Sequence, residues 1–318
     1  MKYYSELSEH LKRENLLIRR TSLEEKNLGA EEILTTEGEK LLEKGTFSNE
    51  GEILEEKIAL RPHLVFMGAG HVGKALYDVA KLCALDVTVM DDRAELNTPE
   101  RFPDAERITG PFEELLKHDT EIENPYFVIF THGHSYDSDC LEWALKQRHA
   151  SYIGMIGSKG KVAFTFQNLK KKGITDEQLA KVHSPIGLDI NAATPAEIAV
   201  SIMGEIIETY RKDRRQISIE PDMLKYLSKT SEPTILCRIV AKTGSGPREQ
   251  GTEMAVTKDS FFMTIGGGAI EKETLRIARE MLESGKKAHL EKFNLSTESD
   301  LGMACGGRAN VLFTLIEN

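Results

Sequence analysis

The feature that most constrains this chain is a short apolar run followed at once by a patterned set of glycines. His63 to Met67 (HLVFM) leads into Gly68-Ala69-Gly70-His71-Val72-Gly73. A run this short, bounded by Pro62 before and Gly68 after, reads as a buried parallel strand rather than a helix. In G-x-G-x-x-G the first glycine permits the tight turn, the second lets a phosphate approach the backbone, and the third lets helix and strand pack closely. The helix that opens there offers free N–H groups and the positive end of its dipole to an anion. The next apolar run, Val87 to Met90, ends at Asp91-Asp92, and Asp91 lies 18 residues past Gly73. That is close to the ~20 expected of the acid that holds a ribose hydroxyl. The pattern reads as a Rossmann-like unit, with Gly68, Gly70, His71, Gly73 and Asp91 as candidate dinucleotide contacts. The same fold could also serve another ligand or act as a rigid scaffold.

Further apolar runs at Tyr126 to Phe130 and Tyr152 to Ile156 alternate with helical stretches at Val72 to Ala84 and Asp139 to Gln147. Such alternation implies an α/β, doubly wound parallel sheet. Thr194-Pro195-Ala196-Glu197 forms a capping box and starts a helix that runs to about Tyr210. Arg211 to Arg215 then reads as a solvated linker. From Glu232-Pro233 the texture is that of a smaller α+β domain. Its strands are expected at Thr234 to Ala241, Glu253 to Val256, Phe261 to Ile265 and Ala309 to Ile316, with a helix from Ala269 to Ser284. The first sixty residues, rich in Glu and Lys, read as a solvated arm with a helix around Leu7 to Ile18 and another around Glu37 to Lys44. The expected division is therefore an arm at 1–60, a Rossmann-like domain at 61–215 and an α+β domain at 216–318.

Charge excludes some functions. With 41 basic and 51 acidic residues the net charge is −10, which disfavours a nucleic-acid backbone as partner. No apolar run reaches the ~18–20 residues of a membrane span, and Met1 to Arg20 lacks an apolar leader stretch. A cytoplasmic location is expected. Four cysteines with no C-x-x-C pair do not make a disulfide framework.

Thr131-His132-Gly133-His134-Ser135-Tyr136-Asp137 follows a strand. His132, His134 and Asp137 could ligate a zinc-like ion, or could form a polar ligand-contacting loop without metal. In the second domain, Arg248 would be the fixed cation of the Gly244 to Glu249 loop. Gly266-Gly267-Gly268 opens a helix and suits an anion. Cys305 sits among small residues in Ala304-Cys305-Gly306-Gly307-Arg308, where the guanidinium of Arg308 would favour a thiolate. Cys83 and Cys237 fall in apolar patterns and read as core fillers, whereas Cys140, opening a helix, fits either role.

Taken together, the strings GAGHVGKAL, DDR, RFPDAERI, THGHSYD, YIGMIGSKGK, SPIGLDINAATPAEIAVSIMGEII, GSGPREQGTEM, TIGGGAIE and ACGGR resemble the xanthine dehydrogenase accessory protein family (XdhC/CoxI). They cover roughly residues 60 to 318. In better-known members the domain with the Pro-Arg-Glu, Gly-Gly-Gly and Cys-Gly-Gly strings comes first; here the order is reversed. The resemblance implies a chaperone-like accessory factor that binds the molybdenum cofactor (molybdopterin) and supports its sulfuration and insertion. Its partners would be a xanthine dehydrogenase-type molybdenum hydroxylase and a cysteine desulfurase-type sulfur donor, and it would work as a homodimer. The Gly266 to Gly268 loop, Arg248, Gly306 and Arg308 would then hold the phosphorylated pterin, and Cys305 would contact molybdenum or relay sulfur. Two other functions remain open: an NAD(P)-dependent oxidoreductase using Gly68, Gly70, Gly73 and Asp91, and a zinc hydrolase at His132, His134 and Asp137.

Overall fold

The computed structural model describes residues 2–14, 16–117, 122–132, 136–147, 150–212, 216–244, 248–294 and 307–317. Two compact units emerge: Met1–Leu60 together with Arg215–Asn318, and Arg61–Arg214. We call them unit 1 and unit 2.

Unit 1 begins with helix α1 (Lys2–Arg13), strand β1 (Leu17–Ser22), a 3-10 turn (Glu25–Asn27) and strands β2 (Glu31–Leu34), β3 (Lys40–Lys44) and β4 (Ile53–Leu60). β1 pairs antiparallel with both β2 and β4, and β2 pairs antiparallel with β3. Residues 1–60 are therefore not a solvated arm. The first helix ends at Arg13, and the segment read as a second helix holds β3 instead. The reason lies in where the charges go. Side chains two apart on a strand share a face, so Leu17, Arg19 and Thr21 point the same way. Arg19, Glu31 and Glu56 are 3%, 4% and 1% exposed, because they meet opposite charges inside the unit rather than water.

Unit 2 is β5 (His63–Met67), α2 (His71–Leu82), β6 (Asp86–Asp91), β7 (Glu106–Thr109), α3 (Phe112–Leu115), β8 (Pro125–Ile129), α4 (Asp137–Lys146), β9 (Tyr152–Met155), α5 (Lys159–Lys171), α6 (Asp176–Leu179), β10 (Val182–His183) and α7 (Pro195–Arg211). The strands lie in the order β10-β9-β8-β5-β6-β7 and every pairing is parallel. This is the expected doubly wound sheet, with its topological switch between β5 and β8. Alternate residues of β5 feed the two faces. Leu64 and Phe66 pack with Leu76 of α2 and Ile202 of α7. Val65 and Met67 pack with Leu141 of α4 and Val162 of α5. The Thr194 capping box is present, with Glu197 N–H bonding Thr194 Oγ1 and Glu197 Oε2 accepting from Thr194 N–H.

The chain then returns to unit 1 as β11 (Gln216–Ile219), α8 (Pro221–Lys229), β12 (Thr234–Thr243), β13 (Glu253–Val256), β14 (Phe261–Phe262), α9 (Gly268–Ser284), β15 (Ala288–Asn294) and β16 (Arg308–Ile316). β11 completes the first sheet by pairing parallel with β4, so the segment read as linker is followed directly by a strand. β12 to β16 form a second, antiparallel sheet in the order β14-β13-β12-β16-β15. One face of it carries Leu236 and Ala255 into a core with Leu17, Ile33 and Ile58 of the first sheet. The other carries Ile235, Cys237 and Phe313 against Ile277 and Met281 of α9. Among the described residues, no helix is long and apolar enough to cross a membrane.

Candidate functional site

The glycine turn sits at the carboxyl end of β5. Gly68 has φ +134°, and a Cβ there would lie 2.5 Å from the carbonyl oxygen of Phe130, so the position admits only glycine. At Gly73 a Cβ would stand 2.8 Å from Gly68 O and 2.8 Å from the Phe130 ring, which is the close helix-to-strand packing the third glycine allows. Gly70 differs. It caps α2 without any side-chain hydrogen bond, and a Cβ on it would meet nothing within 4 Å. The first turn of α2 holds no acidic residue, and His71 there is exposed. Open space above an uncapped helix start is what an incoming phosphate requires. The residues present fit a phosphate group.

Asp91 lies beside this turn but is not free to hold a ribose. It is 0% exposed. One carboxylate oxygen accepts from Ala69 N–H at 2.5 Å and from Arg93 Nη2 at 2.7 Å. The other accepts from the backbone N–H and Nε of Arg93, both at 2.8 Å. Burial pushes the Asp91 pKa up, but the hydrogen bonds from Arg93 and from the Ala69 N–H outweigh it and hold the group below the usual carboxylate range. Arg101 reaches the same loop, with Nη2 2.9 Å from Ala69 O. Two guanidinium groups thus border the glycine turn. Sequence reasoning missed both roles, although Arg93, two residues beyond Asp91 in the DDR string, carried the signal.

Across the switch point, His132 pairs with Asp92, its Nε2 lying 3.1 Å from each carboxylate oxygen. Asp137 belongs to a separate group. It is 1% exposed, and it accepts from Thr131 N–H at 3.1 Å and Thr131 Oγ1 at 2.5 Å. Lys161, from the first turn of α5, makes an ion pair with it. His132 and Asp137 thus each have partners other than a metal, and His134 lies outside the described residues. Among the described residues, no group of three His, Cys, Asp or Glu side chains is arranged to hold a metal. Lys161 could have been suspected from GSKGK, a strand-to-helix turn with two lysines. Cys140, on α4, is fully buried, and burial pushes its thiol pKa up, as it does for Cys237. Both are core residues, while Cys83, at the end of α2, is only partly buried.

In unit 1, Gly266, Gly267 and Gly268 all have positive φ at the start of α9. The anion position there is taken by the chain itself: Glu271 Oε2 accepts from Gly267 N–H at 3.2 Å and from the Thr264 hydroxyl. Arg248 is exposed on its loop. Arg308 is exposed on β16 and is register partner to Thr243, the last residue of β12. β12 therefore ends, and β16 begins, at the same end of the sheet. Cys305 and Gly306 lie outside the described residues.

Comparison with known proteins extends this geometry. A sequence profile of the XdhC Rossmann domain matches residues 64–206, and one of the XdhC and CoxI family matches residues 227–294. The chain belongs to the XdhC and CoxI family. Its Rossmann match precedes its XdhC/CoxI match. An uncharacterized Escherichia coli K12 protein, YqeB, is 34% identical over 154 residues, which are 47% of this chain and 27% of that protein. A Bacillus subtilis protein, named as a probable xanthine dehydrogenase component, is 30% identical over 159 residues, 49% of this chain and 46% of the relative. The matches thus span less than half the length of either relative. A crystal structure of a xanthine dehydrogenase from Bacillus halodurans superposes with a TM-score of 0.52 at 23% identity, covering 65% of each chain. At that identity what is shared is the fold.

Proposed function

We propose that this protein is an accessory factor for a xanthine dehydrogenase-type molybdenum hydroxylase, and that it binds the molybdenum cofactor and supports its sulfuration and insertion. The observation that carries this reading is the presence of both family domains in one chain, supported by the open, uncapped helix start at Gly70. Gly70 and the first turn of α2 would receive a phosphate, and Arg93 and Arg101 border the same turn. The bound cofactor supplies a molybdenum centre on a pterin dithiolene; the residues of this chain hold and shield it. Cys305, three positions before Arg308, would present a thiol to molybdenum or to a sulfur donor of the cysteine desulfurase type. The Gly266 to Gly268 loop would serve the pterin phosphate only by displacing Glu271 from its N–H group.

A second reading, an NAD(P)-dependent oxidoreductase, is favoured by the strand order of unit 2 and disfavoured by the commitment of Asp91 to Arg93. The test compares wild type with Cys305→Ala in activating a cofactor-depleted hydroxylase. The variant is expected to keep the wild-type melting temperature and lose activation. Full activation by the variant would remove the thiol from the account, and failure of the wild type to activate, with nicotinamide binding instead, would favour the oxidoreductase.

A further inference from the structure

A cleft of about 870 Å³ opens in unit 1 between the β1–β2 connection, the end of β3 and the start of β15, with Thr314 and Leu315 of β16 in its lining. Its volume falls within the ~300–1,000 Å³ of small-molecule sites. Lys26, Lys44, Lys286, Lys287 and His289 line it, against the single carboxylate of Glu25. In a chain of net charge −10 this is a local reversal of sign. The wall is held in place where Gly29, at φ +79°, packs directly on β16; a Cβ there would lie 2.5 Å from Thr314 Cγ2.

The lysines are not equally committed. Lys44 Nζ is 3.1 Å from Glu31 Oε2 and 3.3 Å from the Tyr4 hydroxyl. Lys287 pairs with Glu317. Lys26 and Lys286, by contrast, make no ion pair among the described residues. Lys286 Nζ lies 3.1 Å from His289 Nδ1, and His289 Nε2 lies 2.9 Å from Glu291 Oε2. An ammonium group carries three N–H donors, so Lys286 keeps at least two of them beyond its contact with His289. Lysines act as point charges toward phosphate, and two uncommitted ones in the lining of one open cleft suit a short polyanion.

We propose that this cleft binds a phosphorylated small molecule of nucleotide size, with Lys26 and Lys286 on its phosphates. The site involves none of the residues invoked for the molybdenum cofactor. Titration calorimetry on the full chain with ATP, sodium pyrophosphate and adenosine tests it. ATP and pyrophosphate are expected to bind this cleft and adenosine not to bind, with affinity falling as salt rises from about 0.05 to about 0.2 M. The double variant K26E/K286E should weaken both phosphate ligands about tenfold or more. The neutral pair K26A/K286A, checked by melting temperature, should weaken them in the same direction should charge reversal prevent folding. Gly70→Val should leave this binding intact, which separates the cleft from the glycine turn of unit 2. Absence of heat with both phosphate ligands, unchanged affinity in the lysine variants, or loss of binding in Gly70→Val would overturn the proposal. Tighter binding of a ten-nucleotide strand than of ATP would also overturn it, by pointing to a nucleic acid.

Discussion

Gly70 and Gly73 stand three residues apart in one motif, yet substitution should separate them. A valine at position 70 would project into open space above the helix start. Gly70→Val is therefore expected to keep the fold while occluding a phosphate. A valine at 73 would be driven into Gly68 O and the Phe130 ring, and overpacking of this kind costs about 1–3 kcal/mol. Thermal melts of the two variants beside a ligand titration check this. Equal destabilisation by both, or unchanged ligand affinity in Gly70→Val, would contradict it. At Asp91 the expectation is mainly structural. Asp91→Asn would weaken the fork to Arg93 and the acceptor of Ala69 N–H, at a cost of about 1.5–3 kcal/mol read by urea denaturation. A variant as stable as wild type would show that the pair is ornamental.

The strands of residues 1–60 show why some elements were legible and others not. β5, β6, β8 and β9 announced themselves as apolar runs, because a parallel strand covered on both faces has no polar side to show. β1 to β4 mix Arg, Glu and Lys with Leu and Ile without the clean alternation of a half-buried strand, and a high charge density reads as solvated surface. What sequence could not supply was the pairing. Arg19 meets Glu56 at 3.0 Å and Glu253 at 3.2 Å, while Arg238 meets Glu31 at 2.7 Å, and those partners are far apart in the chain. β15 was missed for a related reason, since Lys286-Lys287 before it and Glu291-Lys292 within it look like loop. At the site, the glycine turn was legible because a tight turn demands those residues, whereas the capture of Asp91 by Arg93 and of Glu271 by its own helix start depends on rotamers. Breaking one partner of a buried ion pair costs about 3–5 kcal/mol, so Arg19→Met should destabilise unit 1 by that order in urea unfolding. Arg19→Met/Glu56→Gln should recover part of the loss, and additive losses would contradict the pairing. Burial works to raise the pKa of Glu31 and Glu56, but Lys44 and Arg238 around the first and Arg19 and Arg238 around the second hold both below their ordinary 4.5. A depressed folded-state pKa contributes stability that is full above the unfolded value and is lost as pH falls through the folded one. Stability should therefore decline from about pH 4.5 downward, and Glu31→Gln should flatten that decline; an unchanged acid slope would count against the network.

At the scale of the whole molecule the connectivity is that of an insertion. β4 and β11 are parallel neighbours, with Lys57 opposite Gln216 and Leu60 opposite Ile219, and all of unit 2 forms the crossover between them. A parallel pair needs a connection of about a dozen residues. Replacing residues 62–214 with a Gly/Ser linker of that length should therefore leave unit 1 able to fold, with a single cooperative melt; an unfolded product would show that unit 1 depends on its insert. The family assignment supports a xanthine dehydrogenase-related accessory role. The most direct measurement is molybdenum by elemental analysis, with pterin fluorescence after cofactor extraction, on full-length protein purified from molybdate-supplied cells. The account expects molybdenum and pterin in equal amounts with the wild type, and loss of both in Gly70→Val with the fold intact. Protein free of molybdenum and pterin but carrying a nicotinamide absorbance would contradict it.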